Sequence, residues 1–174
     1  MIGFLRLVGL FNAGIWLGAT IFFTFVAGPA FFSADMTTIL PPPYNGAAAE
    51  IVIERYFLLQ LTCGGIALLH LLVEWLYTGR PMERFLPGLL ITIFCLTLIG
   101  GLWLQPALKH WHLVKYNPRV VVQERQRAAN LFGIWHGISQ GLNLIATAGI
   151  VFYFWRTANA KSATRLISVN KFRG

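Results

Sequence analysis

Four long stretches of this chain carry no charged side chain. None lies between Arg6 and Asp35, between Arg55 and Glu74, between Arg84 and Lys109, or between Arg127 and Arg156. A helix needs about 20 mostly apolar residues to cross a bilayer. Irregular backbone cannot face lipid, because its N–H and C=O groups would have no partners there. The runs also lack the period-two alternation of a membrane barrel strand. The sequence therefore predicts an all-α, integral membrane four-helix bundle, with spans at about 4–28, 56–77, 85–104 and 131–155. Only 11% of the residues are charged, against about 25% in a soluble domain, so a separate water-soluble domain is not expected. The bundle takes up residues 1–158 and a basic tail residues 159–174.

The first span reads as a retained anchor, being too long for a signal peptide and lacking a basic leading segment. The net charge of +8 does not point to nucleic acid. Its cations sit in short loops and in the tail "KSATRLISVNKFRG", where they would meet anionic head groups of the lipid bilayer. Counting Lys and Arg on the two sides favours both termini in the cytoplasm, by a small excess. Cys63 and Cys95 each fall inside an apolar run and read as reduced packing residues. Trp103, Trp111 and Trp155 fall near span ends, as in an aromatic belt.

Two helices are expected to extend beyond the bilayer. "GAAAEIVIERYF" starts the second near Ala47. "YNPR" offers Asn117 as an N-cap and Pro118 as the first residue of the fourth. The pair His110 and His112 in "KHWHL" reads as part of a solvated surface loop, with no adjacent third ligand to complete a metal site.

Polar residues inside the spans are costly unless paired, so their spacing is informative. In the fourth span His136, Gln140, Asn143 and Thr147 recur at intervals of four, three and four, which makes one stripe. About 90° around that helix, at roughly 100° per residue, lie Gly133, Gly137 and Gly141, a small-residue face of the kind that lets another helix approach. The second span repeats the rhythm with Tyr56, Gln60, Cys63, Ala67, His70, Glu74 and Tyr77. The first adds Gly9, Ala13, Thr20 and Thr24, with Gly14 and Gly18 as a packing face. The stripes of spans two and four are expected to face each other. At 1.5 Å per residue, His136 lies roughly 8 Å deep and His70 roughly 21 Å, so they do not form an axial pair for one haem. The ligand or cofactor candidates are His136, Gln140, Asn143, Gln60, His70 and Glu74. No residue reads as catalytic, and no nucleophile elbow, phosphate loop or zinc-protease helix is present.

Four segments together carry a resemblance that spans the chain: "TFVAGPAFF" at 24–32, "RYF" at 55–57, "WLQP" at 103–106 and "WHGISQGLN" at 135–143. They resemble the transmembrane protein 205-like family of small four-helix membrane proteins. His136, Gly137, Ser139 and Asn143 carry its most specific element. The resemblance implies the fold and leaves the biochemical activity open. The first span also looks like the opening helix of copper-resistance D-type proteins and membrane protoporphyrinogen oxidases. The histidine those helices carry before the tryptophan has no counterpart around Gly9 and Asn12.

On this reading the chain is a small membrane accessory or binding protein, associated with itself or with other membrane subunits, in a bacterial inner membrane. The alternative is a cofactor-binding redox or small-solute transport protein using His136, His70 and Glu74, with haem or copper as the group to consider.

Overall fold

A computed structural model describes residues 2–78 and 85–159, and every long element in it is helical. Helix α1 runs Ile2–Phe22 and continues through a π-turn, Phe23–Ala27, into Gly28–Ala30. A short helix α2, Ala34–Ile39, follows, its N-terminus capped by the Ser33 hydroxyl accepting from the Met36 N–H. Helix α3 is Tyr44–Thr78. Helix α4 runs Phe85–Ile99, passes through a second π-turn, Gly100–Leu104, and ends as Gln105–Tyr116. Helix α5 is Val122–Asn159. The four segments Gly3–Ala30, Tyr44–Tyr77, Phe85–Tyr116 and Val122–Asn159 are each long and apolar enough to cross a membrane.

The two π-turns have the same local cause. Pro29 and Pro106 have no N–H to give the helix, and each follows a π-turn by two residues. The ladder adjusts by wider bonds: the Gly28 N–H donates to the Phe23 carbonyl, and the Gln105 N–H to the Gly100 carbonyl. The five-residue register closes the helix around the missing donor.

Helices α1, α3, α4 and α5 pack in a ring. α1 touches α3 and α5, α4 touches α3 and α5, and α3 and α5 stand on the diagonal. The apolar core forms around Trp16, Leu71, Leu90, Ile93, Ile150 and Tyr153, with the Trp16 ring edge-on to Tyr153 at 6.1 Å. Large apolar side chains such as Phe4, Phe11, Leu102 and Ile145 point outward, each more than 60% exposed. In water such a surface would aggregate; against acyl chains it is the solvated one.

The second and fourth spans extend as expected, and the third does so too. Its 32 residues make a rod of about 48 Å, against a hydrocarbon layer of about 30 Å. The charged residues Glu50, Glu54, Lys109, Lys115 and Arg125 mark the ends that project, all on the side away from the start of α1. This third extension corrects two expectations. His110 and His112 lie on helix α4, not in a loop. Asn117 ends α4 instead of opening α5, which starts at Val122. The Asn117 side chain folds back to accept from the Arg119 N–H at 3.0 Å, a local turn that Asn makes readily. Pro118 sits in that turn. Cys63 is buried, whereas Cys95 faces outward and does not pack in the core. Arg80, Arg84 and the tail from residue 160 onward lie outside the described residues.

Candidate functional site

The polar residues of the first two spans close into a self-contained set. The Trp16 indole N–H donates to the Gln60 carbonyl oxygen, and the Gln60 amide donates to the Thr20 hydroxyl at 2.8 Å. Thr20 in turn donates to the Trp16 backbone carbonyl at 2.7 Å. Gln60 is only 6% exposed, and its amide is held from both ends, as a buried polar group requires. One turn nearer the start of α1, Asn12 donates to the Cys63 carbonyl at 2.9 Å.

A second set ties α5 to the others. Tyr56 donates to the Asn143 side-chain oxygen at 3.0 Å, and the Asn143 amide donates to the Thr24 hydroxyl at 2.8 Å. Asn143 thereby joins the diagonal helix and the π-turn of α1. Tyr56 stacks on Phe23 of that π-turn, with ring centroids 4.1 Å apart. Its neighbour Phe57 lies on the other π-turn: a Cβ at Gly100 would come within 2.8 Å of the Phe57 ring, and one at Gly101 within 3.3 Å. Two adjacent aromatics of α3 thus dock onto both irregular turns. Trp103 and Trp135 meet edge to face at 5.8 Å. The segments "TFVAGP", "RYF", "WLQP" and "WHGISQGLN" converge on one layer.

The stripes of α3 and α5 therefore do not face each other along their length. They meet at the Tyr56–Asn143 bond and otherwise converge on α1, because a ring of four helices puts the second and fourth on the diagonal. At the seam's far end His70 is 9% exposed, with Nε2 donating to the Leu5 carbonyl at 2.8 Å. Its ring rests on Gly9, where a Cβ would sit 2.6 Å from Cε1. Glu74, one turn further, is half-buried, and Tyr77 is exposed.

His136 and Gln140 behave differently from Asn143. His136 is half-buried, stacked on Phe132 at 5.5 Å and edge-on to Phe32 at 6.4 Å. Gln140 is exposed. Its amide nitrogen lies 2.9 Å from His136 Nε2; since that nitrogen can only donate, Nε2 accepts and the neutral ring holds its proton on Nδ1. Gln140 sits at the edge of the stripe, about 60° from Asn143 at 100° per residue. On that side Gly133, Gly137 and Gly141 have no atom within 4 Å of where a Cβ would be. Among the described residues no helix of the bundle packs against these three glycines. Of the first-span glycines, Gly18 is equally open and Gly14 meets Phe154 at 3.8 Å. His70 touches residues 5–9 of α1 and His136 touches Phe32 just past its end, so the two histidines lie about 35 Å apart along that helix and cannot share one cofactor.

Outside the bilayer stands a charged cluster that the spacing of residues did not reveal. Lys109 lies 3.4 Å from Glu54 and 3.9 Å from Glu50, and His112 Nδ1 lies 3.4 Å from Glu50. The His112 ring packs so closely on Gly46 that no side chain fits there. Burial pushes the His112 pKa down, and the Lys115 ammonium adds to it. Burial raises Glu50 against the pull of Lys109, whereas bonds from Gln105 and Lys109 hold Glu54 down. The hint in the sequence was the i,i+4 pair Glu50 and Glu54, a carboxylate face needing a basic partner. Among the described residues no three His, Cys, Asp or Glu groups converge as metal ligands.

Fold and polar layer together define a four-span α-helical membrane bundle whose internal hydrogen bonds are spent on holding its helices together. Residues 11–116 match the family described as a domain of unknown function, DUF4149, and the chain belongs to that family. Helix α5, with "WHGISQGLN", lies beyond the matched segment. No curated protein and no solved structure matches the chain.

Proposed function

We propose that this protein is a small accessory subunit that binds another membrane protein through the outer face of α5. The observation that carries this reading is the contrast between a covered interior and an uncovered outer face of α5. Gln60 bonds to Thr20, and Asn143 bonds to Tyr56 and Thr24, so these polar side chains are spent on contacts within the bundle. Gln140 is exposed, about 5 Å above Asn143 along α5, and Asn143 bonds to Tyr56 beside Arg55, at the outer end of the membrane layer. Beside its bond to His136 the Gln140 amide keeps a second N–H and a carbonyl, which a protein partner on this open face can bond to. The resemblance to transmembrane protein 205-like proteins is in keeping with a small helical membrane protein. The balance of Lys and Arg favours both termini in the cytoplasm, and a bacterial inner membrane is the placement this reading assigns.

The test is a photoreactive residue in place of Leu144, on the same face, irradiated in native membranes. The expected result is protein adducts that disappear with Gln140→Leu. Adducts to lipid alone would refute the proposal.

A further inference from the structure

We infer that the end of the bundle where α1 starts binds internal water, held between His70 of α3 and Tyr153 of α5. Two buried polar atoms point to it, one an acceptor and one a donor. Both residues are more than nine-tenths buried. His70 Nε2 gives its hydrogen to the Leu5 carbonyl at 2.8 Å. Gly9 permits that approach, since a Cβ there would lie 2.6 Å from the ring. With its one hydrogen on Nε2, the neutral ring keeps Nδ1 as a bare acceptor, and Nδ1 is buried without a hydrogen-bond partner among the described residues. The Tyr153 hydroxyl, which has a hydrogen to give, is buried without a partner in the same way.

The two atoms belong to one polar corner. The Tyr153 hydroxyl lies beside Thr157 and within electrostatic reach of the Glu74 carboxylate, and Glu74 stands one turn from His70 on the same face of α3. The hydroxyl thus points across the diagonal toward the face that carries His70. A direct bond would serve both groups, but none is made, and buried polar atoms are rarely left unpaired. Water suits the pair because it gives a hydrogen to Nδ1 and accepts one from the phenol. Its second hydrogen can go to the Thr157 oxygen, whose own hydrogen is given to the Tyr153 backbone carbonyl at 2.9 Å. That makes about three bonds, the usual number for a buried water. A metal ion suits the corner less, since no three His, Cys, Asp or Glu groups among the described residues converge. Access is short: the rise from His70 to Thr78 at the end of α3 is about 12 Å, and from Tyr153 to Asn159 at the end of α5 about 9 Å. The link would join at this end the same diagonal helices that the Tyr56–Asn143 bond joins at the other.

The test uses purified full-length protein in proteoliposomes, with isotope-labelled histidine and tyrosine, read by solid-state NMR with magnetisation transfer from water protons. His70→Gln assigns the His70 signals by their loss. The expected result is a His70 ring protonated at Nε2 and bare at Nδ1, with both Nδ1 and the hydroxyl-bearing ring carbon of Tyr153 receiving magnetisation from water. Tyr153→Phe, which removes only the hydroxyl, is expected to abolish the water contact at Nδ1. An Nδ1 that receives nothing from water overturns the inference, and so does one that correlates directly with the Tyr153 hydroxyl hydrogen. A water contact unchanged in Tyr153→Phe overturns it too, because the water is then not held between the two side chains. Should Tyr153→Phe fail to fold, the wild-type contacts decide: water at both groups supports the inference, and water at one alone overturns it.

Discussion

Gln60 and Gln140 are the same side chain in two halves of one membrane bundle, with opposite surroundings. Gln60 is 6% exposed and takes part in bonds to Trp16 and Thr20 on a neighbouring helix. Gln140 is exposed and bonds to His136 on its own helix. The difference shows that a polar stripe inside a span does two jobs. Where it meets another helix of the chain it is structural glue; where the bundle leaves it uncovered it is an unspent hydrogen-bonding capacity. The histidines divide in the same way: His70 is locked against Gly9 and Leu5, while His136 stands half-open between two phenylalanines.

The largest expected effect comes from breaking the closed half. Gln60→Leu leaves the buried Trp16 N–H without its acceptor, which costs about 1–3 kcal/mol; a clear fall in the thermal midpoint in detergent checks it. An unchanged midpoint would mean that the seam does not hold α1 to α3. Asn143→Leu cuts the links to Tyr56 and Thr24 and is expected to cost about 0.6 kcal/mol per interhelical bond, measured the same way. It sharpens the comparison, because Asn143 lies three residues from Gln140 on the same helix.

A pH series examines the cluster outside the bilayer. The His112 pKa is lowered from 6.5, so the neutral ring is the form that suits the fold. Its contribution is fully present above about pH 6.5 and is lost as pH falls through the lower folded value. Glu50, with its pKa raised, has the opposite sign: protonation relieves its burial, so it gains stability toward acid. A thermal midpoint that declines below about pH 6.5, and a His112→Gln variant in which that decline is gone, would agree with both signs. The smallest effect on the isolated bundle is expected for Gln140→Leu, within about 0.5 kcal/mol as for a surface substitution. If Gln140→Leu lowered the midpoint as much as Gln60→Leu, the contrast between the two glutamines would be lost.

Much of this was legible in the chain. Charge-free runs gave four helices, and the four-three rhythm of Tyr56, Gln60, Cys63, Ala67 and His70 picked out residues that are all buried. Asn143 and Thr147 were likewise placed correctly on the inward side. The third span's extension was missed, because "QPALKHWHLVKY" mixes charge, aromatics and a proline, which by composition reads as loop. Its helicity depends on packing against α5 and on the Lys109 and His112 contacts with α3, which are remote in sequence. Asn117 was assigned to the wrong helix because the same Asn–Pro pair can end one helix or begin another.

The sequence by itself determined that the chain crosses the membrane four times and that its polar side chains fall in stripes, since hydrocarbon excludes charge and the helix repeat fixes which residues share a face. Only the tertiary structure decided which part of each stripe is covered. A periodicity of 3.6 residues states direction around one axis; it holds no information about how far the neighbouring axis leans over it. The ring order of the helices set Gln60 against α1 and left Gln140 facing out.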